Sequence, residues 1–249
     1  MKKVIAIGVA VFVLAGAVTM LVLDNTLFAP VEVSTVVPVA PALVVSAQQT
    51  ESTVEETEVV EATNTTDTAD ATLYRIDATQ SEVRYEVGET FFQDNRFALA
   101  VGTTQGVAGE LLVDFARPSN TQIGDIVVDV SQFTSDESRR DNFIRNSGLQ
   151  SAAYPLATFS PQLIEGLPAQ VAEGDSLSFT MTGDLTVKDT TRSVTWAVTL
   201  QLDGDQIVGS ASTQVLMSDF GVGPIQLAFL ATEDQVNLFF DFVATPAQA

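Results

Sequence analysis

The sequence predicts an all-β fold: an up-and-down antiparallel β-barrel of about eight strands with one short helix, preceded by an N-terminal hydrophobic helix and a disordered linker. Three observations carry that prediction. Apolar and polar residues alternate with a period of two through much of 73–249, which is the signature of strands with one buried face. Turn-forming residues punctuate the alternating runs. The first 72 residues contain an uncharged run and then an acidic tract, and neither has strand periodicity.

Residues 1–23 form the first unit. Met1-Lys2-Lys3 precedes an uncharged run of 20 residues, Val4 to Leu23. As a helix it would span about 30 Å, the thickness of a bilayer's hydrocarbon core. The segment reads either as an uncleaved membrane anchor or as a signal peptide cut near Ala15-Gly16-Ala17. In both readings Lys2 and Lys3 stay inside and the remaining chain is exported. The expected location is therefore membrane-anchored with the barrel on the extracytoplasmic side, or secreted or periplasmic after cleavage. With no cysteine, a lipoprotein anchor is excluded.

Residues 24–72 form the second unit. They carry nine acidic side chains, no Lys or Arg, and many Thr, Val, Ala and Pro. Self-repulsion and the scarcity of aromatic residues predict an extended, disordered linker acting as a stalk. Asn64-Thr65-Thr66 is a formal glycosylation sequon, a weak signal in a Thr-rich tract.

Residues 73–249 form the third unit, long enough for one domain with a substantial core. In SEVRYEV, Val83, Tyr85 and Val87 share a face. Leu111, Val113 and Phe115 oppose Glu110 and Asp114, and Ile126, Val128 and Val130 oppose Asp125 and Asp129. SLSFTMTGDLTV sets Leu177, Phe179, Met181, Leu185 and Val187 against polar residues. Val194, Trp196, Val198, Leu200 and Leu202 follow, and Val236, Leu238, Phe240 and Phe242 close the series. Asp203-Gly204-Asp205 fits a tight hairpin, and Asp184 and Asp219 read as turn or cap residues. The stretch 135–149 breaks the alternation. It predicts a short helix capped by Ser135 or Asp136, ending near Gly148, with Phe143 and Ile144 facing inward. Long one-sided strands must close or stack, and their length favours a barrel whose interior is filled or holds one slender ligand.

Composition narrows the function. The chain has no histidine and no cysteine, which removes the histidine- and thiolate-based nucleophilic mechanisms and Cys/His metal sites. Its net charge of −21, with the folded unit at −14, argues against nucleic-acid binding. Paired carboxylates alone can hydrolyse glycosides, but among 23 acidic residues some pair falls at that spacing by chance. No loop has the ligand spacing of a dedicated calcium site. The reading is of a non-enzyme without cofactor or metal.

Several strings resemble the YceI-like, polyisoprenoid-binding family. They are TSDESRRDNFIRNSGLQSAAYPLATF (134–159), GDLTVKDTTRSVTW (183–196) and SDFGV (218–222), flanked by YRIDATQSEVRYEV (74–87) and DQVNLFFDF (234–242). The resemblance runs in order through 73–249. It implies an extended lipocalin-like antiparallel barrel, usually exported, whose apolar pore holds an isoprenoid or similar amphiphile. Many members carry a histidine in the second or third strand; this chain departs from them there.

On that reading the partner is an apolar lipid such as a polyisoprenoid or quinone, with the membrane as second partner through residues 4–23. An exposed apolar strand edge would also allow a homodimer. The candidate lining residues are Val83, Tyr85, Leu111, Val113, Phe115, Phe143, Phe179, Met181, Trp196, Val198 and Phe240, each with the competing role of filling a dry core. Trp196 and Tyr85 stand out because a buried N–H or O–H calls for a partner. Arg139, Arg140 and Arg145 concentrate positive charge beside the helix. Arg140 and Arg145 are candidates to meet a ligand's head group, or else to pair with Asp136, Glu137 or Asp141. A stalk-displayed structural or adhesion module with a solid core is the alternative, and an empty apolar tunnel would distinguish the two.

Overall fold

A computed structural model describes residues 27–43, 71–169, 171 and 174–247; the apolar run Val4–Leu23 and the sequon at Asn64 lie outside them. The folded unit is a curled antiparallel sheet of thirteen hydrogen-bonded segments. In chain order they are β1 (Thr72–Ile76), β2 (Glu82–Phe91), β3 (Arg96–Thr104), β4 (Val107–Ala108), β5 (Glu110–Val113), β6 (Gln122–Ile123), β7 (Ile126–Asp129) and β8 (Thr134–Ser135). After helix α1 (Ser138–Phe143) come β9 (Leu156–Glu165), β10 (Ser176–Val187), β11 (Thr190–Asp203), β12 (Gln206–Leu216) and β13 (Leu230–Pro246).

Two of the five segments beyond eight arise because two strands are interrupted, and the other three are β1, β5 and β6. β3 runs on into β4 past Gln105-Gly106, and β7 runs on into β8 through a 3-10 turn at Val130–Gln132. These two broken strands pair with each other at both ends, Val107 opposite Val128 and Thr103 opposite Thr134. From there the ladders pass through β7, β9, β10, β11, β12 and β13, and β13 pairs back with β2, which pairs with β3. β1, β5 and β6 extend from the last residues of β13.

This up-and-down order puts four connections at one end of the sheet: the β2–β3 turn, the α1 region, the β10–β11 turn at Lys188-Asp189, and the segment between β12 and β13. That end is called the mouth below. At the opposite end Gly204, with φ of 62°, makes the β11–β12 turn expected at Asp203-Gly204-Asp205.

The long alternating runs behave as expected. Leu177, Phe179, Met181 and Leu185 on β10, Val194, Trp196, Val198 and Leu200 on β11, and Val236, Phe240 and Phe242 on β13 are all buried. β3 inverts the rule: it turns Ala100 and Gly102 inward and leaves Phe97 and Leu99 exposed. Small residues are needed there because the Tyr85 ring lies where a side chain on Gly102 would sit.

Three acidic residues expected on the outer face are buried instead. Glu110 binds the Arg75 Nε at 2.8 Å, and Asp114, fully buried, accepts from Arg117 N at 2.8 Å and Arg117 Nε at 3.0 Å. Asp129 caps the 3-10 turn by accepting from Ser131 N at 2.9 Å. Burying a carboxylate is tolerable only with such partners. Asp184 lies within β10, where it accepts from Gln162 Nε2, rather than in a turn.

The helix also differs in detail. Its cap is Glu137, which accepts from Arg139 N at 3.0 Å, because Ser135 is engaged with Asp141. It ends in a π-helical turn, Ile144–Gly148.

The largest departure concerns the linker. Residues 27–43, expected to be part of a free stalk, lie against the folded unit along its length. At the mouth the Phe28 ring packs 5.7 Å from that of Phe143, and the Arg139 guanidinium sits 4.5 Å over it. Asn146 Nδ2 donates to Ala29 O at 2.9 Å. Further along, Gln132 Nε2 donates to Val36 O at 2.8 Å, and Leu43 N donates to Glu110 Oε2 at 2.9 Å. The segment has no periodicity because it adds no ladder; it is held by side chains of the domain, which its own sequence does not reveal.

Candidate functional site

The sheet curls around an apolar cavity of about 370 Å³, within the range of small-molecule sites. Its walls come from alternate residues of β2, β10, β11, β12 and β13, closed on one side by α1 and the loop before β13. Met181, Leu185, Trp196, Ala211, Val215, Leu238 and Phe240 line it, together with Val83, Tyr85 and Val87.

The hollow occupies only the mouth half of the barrel. In register, Met181 lies opposite Trp196, and both line the cavity. Two residues further from the mouth, Phe179 lies opposite Val198, and neither borders it. Below that level Leu177, Leu200, Ile207 and Phe242 fill the interior as a solid core. Strand length alone suggests a tunnel along the whole barrel; the packed cluster of buried side chains from Phe179 and Val198 downward closes it.

Among the candidate residues, Val83, Tyr85, Arg140, Phe143, Met181, Trp196 and Phe240 lie on the cavity wall. Leu111, Val113, Phe115, Phe179, Val198 and Arg145 lie away from it. Leu111 and Val113 are on β5, outside the ring of long strands and packed in the solid region. Phe115 stacks edge-on with Tyr74 at 6.3 Å. Sequence reasoning passed over Phe28, Ala211 and Glu89. Ala211 follows from its place on the inner face of β12, but neither Phe28 nor Glu89 carries a local signal.

The three arginines have distinct duties. Arg140 Nε and Nη2 donate to both oxygens of Glu89 at 3.1 and 3.0 Å, while its Nη1 donates to Asp136 at 2.6 Å and Ser135 Oγ at 3.1 Å. Burial opposes its charge, yet Glu89 and Asp136 hold its pKa above the ordinary arginine value. Arg145 is buried and donates to the backbone oxygens of Ser131 at 2.8 Å and Phe133 at 2.6 Å, tying the helix to the β7–β8 interruption. Arg139 covers Phe28. These cations hold the mouth together.

Tyr85 packs against Phe133, ring centroids 5.2 Å apart, and burial pushes its phenol well above its usual pKa, with Asp141 adding to the effect. It is neutral at any physiological pH. The Trp196 ring stacks edge-on with Phe159 at 5.9 Å, and its buried Nε1–H has no hydrogen-bond partner among the described residues. The partner expected for that indole is missing because its surroundings are apolar.

An antiparallel β-fold curled about an apolar cavity that opens at one end has a lipocalin-like architecture. A profile of the YceI-like domain family matches residues 74–244, and the chain belongs to that family. It is similar in fold to BcnA of Burkholderia cenocepacia, with 24% identity and a TM-score of 0.55 over 68% of this chain and 99% of that one. A polyisoprenoid binding domain from Saccharophagus degradans, implicated in plant cell wall breakdown, gives 13% identity and a TM-score of 0.52 over 70% of this chain and 98% of that one. No curated protein matches the chain.

Proposed function

We propose that this chain is a non-enzymatic binding protein that takes up a neutral, long-chain apolar ligand, an isoprenoid, quinone or similar lipid, through the mouth. The observation that carries the reading is the cavity itself: about 370 Å³ of space walled by aliphatic and aromatic side chains. Desolvating an apolar tail there supplies the driving force, roughly 25 cal/mol per Å² buried. The polyisoprenoid binding named for the Saccharophagus degradans domain supports an isoprenoid as the first ligand to try.

The cavity wall favours a neutral ligand, since its two cations, Arg139 and Arg140, are matched by two carboxylates, Glu89 and Glu137. Arg140 spends its donors on Glu89, Asp136 and Ser135, and Arg145 on backbone carbonyls. The chain's charge of −21 adds a general penalty for an anionic head group. The apolar run Val4–Leu23 supports an extracytoplasmic site tethered to the membrane.

Trp196 is the only tryptophan and lines the cavity, so its fluorescence reports occupancy directly. Titration with a polyprenyl quinone is expected to quench it saturably, and the matching polyprenyl phosphate to bind no better. Unchanged emission with quinone and polyprenol alike would refute the proposal.

A further inference from the structure

Exposed phenylalanines gather at the mouth, whereas exposed aliphatic residues are spread wider, Leu163 and Val208 toward the far end and Val33, Val36, Val37 and Val39 on the packed segment. Among the described residues of the folded unit, all three exposed phenylalanines are there: Phe92 and Phe97 on the β2–β3 turn and its flank, and Phe229 just before β13. They are 54%, 60% and 48% exposed. Phe92 N donates to Phe229 O at 2.9 Å, so two of the three are fixed side by side. Phe229 also borders the cavity. The third, Phe97, lies opposite Thr90 on the strand that leads to Phe92.

Basic residues gather at the same end. Arg96, 3.6 Å from Asp94, and Lys188, whose Nζ donates to Gly221 O at 2.9 Å, stand in or beside the mouth connections with Arg139 and Arg192. Arg75 and Arg117 lie toward the far end with Glu110 and Asp114. Asp94, Asp136, Glu137, Asp189, Asp219 and Glu233 are interspersed at the mouth and outnumber the cations there. Against a strongly acidic chain this is the one end where cations accompany exposed aromatic rings. Aromatic side chains and cations at one surface are the composition of a membrane-interface anchor.

The packed segment supplies the second line of argument. Phe28 is seated at the mouth, on Phe143 and beneath Arg139. Leu23, the last residue of the apolar run, precedes it by five positions. Even fully extended, five residues reach only about 17 Å. The tether to the membrane is therefore short and starts at the mouth, the opposite of a long stalk that holds the domain away.

We infer that the mouth end docks on a phospholipid surface, with Phe92, Phe97 and Phe229 inserted at the interface and the cavity opening toward the bilayer. A ligand then passes between lipid and cavity without crossing bulk water. The inference rests on the reading of Val4–Leu23 as a membrane tether, and the test separates the two.

The chain has no cysteine, so a single introduced thiol is a unique label site. Full-length Phe97→Cys and Asp205→Cys variants, the second at the far turn, are spin-labelled and reconstituted into vesicles of phosphatidylcholine and phosphatidylglycerol. Accessibility to oxygen, which partitions into lipid, is compared with accessibility to a water-soluble nickel chelate. The oxygen-to-nickel ratio is expected to be severalfold higher at position 97 than at position 205. Equal, water-like ratios in protein that co-floats with the vesicles would overturn the docking and leave the tether standing. Failure to co-float would overturn the tether and the docking together. Trp196 quenching by added quinone, measured separately, is independent of either outcome.

Discussion

Arg140 and Glu89 form a two-pronged ion pair at the cavity mouth, 3.1 and 3.0 Å, with the Glu89 side chain only 6% exposed. The pair joins α1 to the inner face of β2 across 51 positions of sequence. It fixes the helix over the opening and keeps the one inward-facing carboxylate of β2 compensated.

Removing one partner leaves the other charge buried. Arg140→Met is expected to destabilise the fold by about 3 kcal/mol in chemical denaturation. The double variant Arg140→Met with Glu89→Gln is expected to recover a large part of that loss. Additive effects of the two substitutions would show that the pair is not coupled.

The floor of the cavity predicts different costs for neighbouring residues. Phe179→Ala excavates the solid core and is expected to cost about 3–5 kcal/mol. Met181→Ala, two residues nearer the mouth, already borders a void and is expected to cost about 2 kcal/mol. Equal losses, measured by urea unfolding, would argue against a floor at this level.

Filling the hollow separates binding from folding. Ala211 faces the cavity from β12 opposite Phe240. Ala211→Leu is expected to weaken quinone binding at least about tenfold, or about 1.4 kcal/mol, with the melting temperature unchanged or raised. Binding that survives the substitution would move the ligand elsewhere.

The packed segment 27–43 is predicted to loosen in acid. Burial alone would raise the Glu110 carboxyl's pKa, but the Leu43 N–H and Arg75 outweigh it and hold the group below its ordinary value. A depressed folded-state pKa stabilises above the unfolded value, about 4.3, and that stabilisation is lost as pH falls from there through the folded value. The protection factor of the Leu43 amide, corrected for intrinsic exchange, is expected to be constant at neutral pH and to drop below about pH 4. Loss of protection between pH 6 and pH 5 would contradict the assignment.

The sequence was most informative where burial is one-sided. β10, β11 and β13 read directly from their alternation because one face meets the core along the whole strand. β3 was illegible because Tyr85 occupies its inner side, leaving only small residues there, while Phe97 and Leu99 point out. The buried acids Glu110 and Asp114 read as outward-facing because their partners, Arg75 and Arg117, give no sign in sequence of which face they will satisfy. Cavity wall and solid core are equally apolar, so nothing in the sequence separates Met181, on the wall, from Phe179, in the packed core. That information is three-dimensional.

The central claim, a one-mouthed cavity that holds a neutral lipid, is tested most directly by native mass spectrometry of residues 27–249, which retain the packed segment, purified without detergent and followed by organic extraction. One apolar, uncharged molecule per chain is the predicted result. A clean unliganded mass that added polyprenyl quinone and polyprenol both leave unchanged would contradict it.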